Sequence, residues 1–156
     1  MTSSIKKAKD SVQDEDTLVR KGTDSILVAE PLEPREGRKR YRVGAVADFP
    51  MKSHQVVEVN GRQLGVFNIN GDLHALPNIC PHMTGPVCEA KELTGSLASN
   101  EETQWKPEWV HDGEIVICPW HGLEYHVPTG QCLAYKHIRI RRYKVITEGD
   151  DVIVEF

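Results

Sequence analysis

The sequence predicts an all-β fold, a sandwich of small antiparallel sheets. Three observations carry this reading. From Tyr41 onward apolar and polar residues alternate with period two, the pattern of strands with one buried face. Turn dipeptides separate the runs, above all Asn60-Gly61 and Asn70-Gly71, which accept the positive φ angles of a tight hairpin. No stretch has convincing helical amphipathicity; the polar run Ala90 to Lys106 is the one weak helix candidate.

Taken in chain order, residues 1–38 read as a polar, mobile extension ahead of one domain at 39–156. Large apolar side chains there are few outside Ile26 to Ala29, so little surface can be buried. His54 to Asn60, Arg62 to Ile69 and Asp72 to Asn78 follow as three strands joined by the two Asn-Gly turns. Glu114 to Ile117 is a further strand. Ile138 to Thr147 is expected to pair with Asp151 to Phe156 across Glu148-Gly149-Asp150. Within it the apolar phase shifts from Ile138 and Ile140 to Tyr143 and Val145, which a bulge at Arg141 or Arg142 would explain.

Composition narrows the function classes. The chain carries 19 Lys and Arg against 23 Asp and Glu, net −4. Residues 1–40 hold nine basic and eight acidic side chains, so the remainder carries ten against fifteen, a balance that argues against nucleic acid as partner. No apolar run has the length of a secretory signal or a membrane span, so no membrane partner and a cytoplasmic location are expected. Four cysteines in that compartment are more often ligands or buried thiols than disulfides. No phosphate-binding glycine loop, nucleophile elbow or paired-carboxylate site is present, so catalytic residues are not expected.

The chemistry is concentrated in two boxes. Cys80-Pro81-His82 is C-x-H, and Cys118-Pro119-Trp120-His121 is C-x-x-H; the two cysteines are 38 positions apart. Each box follows a predicted strand and enters Pro- and Gly-containing sequence, so both belong at loop tips. Two thiolates and two imidazoles suit zinc or an iron–sulfur cluster.

These boxes, with Gly122 and the following Glu124 to Gly130 (EYHVPTG), resemble the Rieske family of [2Fe-2S] proteins, over about residues 41–156. The resemblance implies a Rieske-like sandwich with two cluster-binding loops and one [2Fe-2S] cluster per chain. It implies Cys80 and Cys118 on the buried iron, and His82 and His121 on the iron nearer solvent. Two neutral imidazoles in place of two thiolates make such a cluster easier to reduce. The 35 residues between His82 and Cys118 are roughly twice the family's usual gap, so an insertion at about 92–113, containing Trp105 and Trp109, should form a lobe beside the boxes. That lobe is either a docking surface or a packing flap. The high-potential respiratory members have a disulfide where this chain has Gly85 and Trp120, and a Ser where it has Leu123; Tyr125 keeps the family's tyrosine. The third loop of the ferredoxins, expected at Ala134 to His137, lacks its proline.

The function expected is a soluble one-electron carrier, taking electrons from a flavoprotein reductase to a terminal oxygenase or reductase. A permanently docked small subunit of a multisubunit reductase, nitrite reductase-like, is the alternative, and a structural zinc-binding module the remote one. Cys88 and Cys132 are expected to be free thiols. His111, His126 and His137 read as loop residues, and Lys136 to Arg142 as a half-buried strand or an attachment patch.

Overall fold

The computed structural model describes residues 20–21 and 26–156. The expected mobile extension at residues 1–19 and 22–25 lies outside the described residues. In chain order the strands are β1 (Arg20–Lys21), β2 (Ile26–Val28), β3 (Glu30–Arg35), β4 (Arg38–Ala45), β5 (His54–Val59), β6 (Arg62–Ile69) and β7 (Asp72–Pro77). They continue with β8 (Thr94–Ala98), β9 (Glu108–Ile117), β10 (Glu124–His126), β11 (Gln131–Cys132), β12 (Lys144–Glu148) and β13 (Asp151–Glu155). Three small sheets result, in the orders β1-β2-β5-β6-β7, β11-β10-β9-β8 and β12-β13-β4-β3. All pairings are antiparallel except β2 with β5, where Leu27 stands beside Val57.

Both Asn-Gly hairpins form. Asn60 and Gly61 have φ of 51° and 73°, and Val59 pairs with Arg62 across them. Asn70 and Gly71 have φ of 54° and 96°, and Ile69 pairs with Asp72. Register then decides the core, because successive residues of a strand point to opposite faces. Leu64 and Val66 of β6 enter one cluster with Val57, Val59, Val43, Phe49, Val152 and Val154. Phe67 and Ile69 enter the other, with Leu76, Val87, Val116, Tyr125, Ile140 and all four cysteines. The strand is therefore a wall between two cores, buried from Leu64 to Ile69.

Three expectations are corrected. The folded part begins ahead of residue 38: Leu27 is buried in the second core, and β3 pairs with β4. β3 is an outer edge strand, where Pro31 and Pro34 are tolerated because one side of the strand needs no ladder partner. Second, Ile138 to Thr147 is not one strand. Ile138 and Ile140 pack on the first core, Tyr143 and Val145 on the second, so the phase shift marks the chain crossing between cores rather than a bulge. Regular pairing starts only at Lys144, opposite Glu155. Third, Ala90 to Lys106 is not helical: it contains β8 and a turn in which Asn100 and Thr103 exchange backbone-to-side-chain bonds of 3.0 Å each. The insertion is thus a β8–β9 hairpin with Leu97 opposite Trp109, both largely exposed.

His54 links the first strand pair to the loop beyond the first box. Its ring stacks on Phe67 (5.2 Å between centroids, 12° between planes), and its Nε2 lies 2.7 Å from the Ala90 carbonyl oxygen. Burial holds the imidazole below its usual pKa of 6.5, against the opposing pull of its backbone hydrogen bonds; burial likewise lowers His74. Such a group gains a proton on unfolding between its folded pKa and 6.5. Stability is then complete above pH 6.5 and is lost as pH falls from there toward the folded value. Urea midpoints should fall between pH 7 and pH 5. The His54→Gln variant, whose amide can still donate to Ala90, should show a shallower fall; one such group contributes at most about 1.4 kcal/mol per pH unit.

Candidate metal centre

The two boxes fold as backbone copies of each other. In the first, the Cys80 N–H donates to the Gly85 carbonyl at 2.7 Å and the Thr84 N–H to the Cys80 carbonyl at 2.8 Å. In the second, the Cys118 N–H donates to the Leu123 carbonyl and the Gly122 N–H to the Cys118 carbonyl, each at 2.9 Å. The fourth residue after each cysteine is left-handed: Gly122 at φ 68°, and Thr84 at φ 61°. For a β-branched residue that conformation costs on the order of 1–3 kcal/mol, a strain that surrounding structure must offset. Part of that support is Asn78, two residues ahead of Cys80. Its Oδ1 accepts the Cys88 N–H at 2.8 Å, and its Nδ2 donates to Gln63 and Glu89, 3.1 Å each.

Cys80 and Cys118 are buried at the base of the loops, while His82 and His121 stand exposed at the rim with ring centroids 4.9 Å apart. Burial, reinforced by the adjacent Cys80, raises the Cys118 thiol; backbone N–H groups of Trp120 and His121 pull the other way by facing its sulfur. The Tyr125 hydroxyl lies 3.1 Å from the Cys80 sulfur. Burial, then Cys80, pushes that phenol far above its usual range, so it keeps its proton and can donate it to sulfur. Among the described residues, three donor atoms converge within 4.8 Å only at His111, Glu114 and His126. The box donors thus lie as a sulfur pair and an imidazole pair, not as the single tetrahedron of a zinc site.

Gly85 and Trp120, the positions of the respiratory disulfide, face each other. A Cβ on Gly85 would lie 2.9 Å from Trp120 Cγ and 3.0 Å from Cys118 Sγ, so the indole fills the space a side chain there would need. Trp120 nevertheless keeps an exposed face and lies near His121. None of the four cysteines forms a disulfide; Cys88 is buried and its thiol is pushed up to about 12 by desolvation. The third loop holds its shape without a proline: Gln131 Nε2 lies 3.1–3.3 Å from the carbonyl oxygens of Cys132, Tyr135, Lys136 and Ile138.

Two sites escaped the sequence reading. Asn78 carries no motif that marks it as a brace. His111 and His126 are not isolated loop residues: each lies in a strand, and both meet Glu114. The H-x-x-E spacing of His111 and Glu114 was visible, but three apart in a regular strand puts two side chains on opposite faces.

Gly85→Ala should lower stability by about 1–3 kcal/mol through overpacking. Trp120→Ala should absorb most of that loss, so a double-mutant cycle in urea measures the contact; additive losses would show that the two residues do not touch.

A family model for the Rieske [2Fe-2S] domain matches residues 39–144. No curated protein sequence matches the chain. Among solved structures, the Sphingomonas yanoikuyae B1 ferredoxin is 23% identical, with 74% of this chain and 96% of that one covered at a TM-score of 0.55. A chain from the complex of reduced oxygenase and oxidized ferredoxin in carbazole 1,9a-dioxygenase is 20% identical (74% and 91% covered, TM-score 0.57). A putative NADPH nitrite reductase small subunit is 16% identical (74% and 96% covered, TM-score 0.52). At these identities the structural likeness concerns the fold. The domain match extends over both boxes and the strands that carry them, and on that ground the chain belongs to the Rieske [2Fe-2S] family.

Proposed function

We propose that the chain is a soluble one-electron carrier whose cluster is held by Cys80 and Cys118 on one iron and by His82 and His121 on the other. The observation that carries the assignment is the pairing of the box donors: two buried sulfurs side by side and two exposed imidazoles side by side, with no three of these four gathered within 4.8 Å as one ion would need. Bound there, a [2Fe-2S] cluster supplies reversible one-electron chemistry. The residues of the chain do the rest. The apolar first core keeps water from the cysteines, Tyr125 and the loop amides of Trp120 and His121 offer hydrogen bonds to sulfur, and the histidine edge lies open to a partner. Exposed Ile79, Met83 and Trp120 flank the boxes, an apolar rim suited to brief docking. Among the described residues no helix is long and apolar enough to cross a membrane.

The partners we propose are a flavoprotein reductase as donor and a terminal oxygenase or reductase as acceptor, in line with the ferredoxin–oxygenase complex among the structural neighbours. The nitrite reductase small-subunit neighbour supports a second reading, a subunit docked permanently on a catalytic chain. Purification from the native source separates them, since a docked subunit elutes with a large partner at fixed ratio.

Anaerobically prepared protein should contain two irons and two inorganic sulfides per chain, and His121→Cys should retain a cluster with an altered EPR spectrum. Stoichiometric zinc without sulfide, or an unchanged His121→Cys spectrum, would sink the assignment. Tyr125→Phe should lower the reduction potential. A hydrogen bond to a charged group is worth about 1.5–3 kcal/mol, and about 1.4 kcal/mol equals 59 mV for one electron. A drop of about 65–130 mV is expected in a spectroelectrochemical titration, and Leu123, which offers no hydroxyl, leaves no substitute donor at the Ser position.

A further inference from the structure

Outside the cluster boxes, β9 departs from regular pairing at one place. Thr94 pairs with Ile115 and Ser96 with Val110, so one residue of β8 (Gly95) faces four of β9, His111 to Glu114. His111 within this bulge is left-handed (φ 54°), as is Gly113 (φ 76°). Bulges of this kind re-aim side chains, and a left-handed non-glycine residue is kept only where its surroundings impose it. Here the excursion turns His111 and Glu114 to the same side, facing His126 of β10.

The donors of the three residues point at one another. Glu114 Oε2 lies 3.1 Å from His111 Nδ1 and 3.0 Å from His126 Nε2, and the three ligand atoms fall within 4.8 Å of one another. Behind His126, its Nδ1 lies 2.8 Å from Thr129 Oγ1. In the tautomer that donates the Nδ1 proton to that hydroxyl, the Nε2 lone pair faces the Glu114 carboxylate and is open to a cation held between them; in the other, Nε2–H donates to Glu114 directly. Ligating histidines commonly donate their other ring N–H to an outer acceptor, the place Thr129 takes here. With bonds of about 2.0–2.2 Å, tetrahedral zinc separates neighbouring N and O donors by roughly 3.4 Å, close to the spacing already present. His126 and Glu114 are mostly covered, whereas the exposed edge of His111 leaves room for water to complete the shell.

We propose that His111 Nδ1, Glu114 Oε2 and His126 Nε2 form a binding site for a divalent transition cation of the zinc class. The site is separate from the cluster ligands and clips the insertion hairpin to β10. Neither sulfur nor a box histidine takes part, and a nitrogen- and oxygen-only donor set of this composition favours borderline divalent ions over calcium or magnesium.

The test uses the cluster-loaded full chain, freed of loose metal with a chelating resin and titrated with zinc chloride by calorimetry. Zinc absorption-edge fine structure is recorded on the product. One zinc per chain with a first shell of nitrogen and oxygen only is expected. Both His111→Ala and Glu114→Gln should weaken binding at least tenfold, and Thr129→Val about tenfold or more, all with the iron–sulfur spectrum unchanged as the check on folding. Absence of binding heat, equal affinity in wild type and all three variants, or zinc–sulfur scattering from the box cysteines would overturn the proposal. A failure of the electron-carrier reading would appear separately, as missing iron and sulfide before any zinc is added.

Discussion

Two buried sulfurs held side by side at the base of twin loops set the terms for the rest of the molecule. A thiolate in an apolar core is costly unless something neutralises or hydrogen-bonds it. The loops meet this demand with backbone: each cysteine N–H closes its own loop, and the amides of Trp120 and His121 face the Cys118 sulfur. Tyr125 adds a hydroxyl from β10 toward Cys80. The left-handed Thr84 shows that this geometry is held against local preference, with Asn78 and the packing of Gly85 on Trp120 taking the load.

That loop pair depends in turn on the wall formed by β6 and β7. Because β6 is buried on both faces, its alternating residues serve two cores at once, and movement in one is felt in the other. The crossing segment at Ile138 to Val145 ties the two together from outside. Ile140 N–H donates to Gly130 on one side and Tyr143 N–H to Ala75 on the other. The cations of this stretch are spent locally: Arg139 reaches Gln131, Arg141 lies over the Tyr143 ring and Arg142 donates to the Pro128 carbonyl. All three guanidinium side chains nevertheless stay exposed.

The enlarged gap between the boxes has its own logic. A plain hairpin inserted ahead of Cys118 would hang from the domain by one strand pair. The β9 bulge gives it a second anchorage, through Glu114 and His126, while Lys52 reaches Asp112 within the bulge. Leu97, Trp105 and Trp109 remain exposed beyond that anchorage.

Strands β5, β6, β7 and β13, the end of β9, the Asn-Gly turns and the donor types were legible in the sequence, because period-two burial and left-handed turn residues are local properties of the chain. The two cysteine–histidine boxes were legible for the same reason, since each is a single loop. Contacts between distant segments were not. Leu27 joins the core only because β5 offers it a parallel edge, and the phase shift after Ile140 reflects two separate cores rather than a bulge. Asn78 gains its role from Cys88 and Gln63, and His111 from a bulge that no spacing rule announces. Local backbone preference thus determined the elements and the kind of donor. Which side chains meet was decided by register and packing, which depend on pairs of segments that a linear reading sees one at a time.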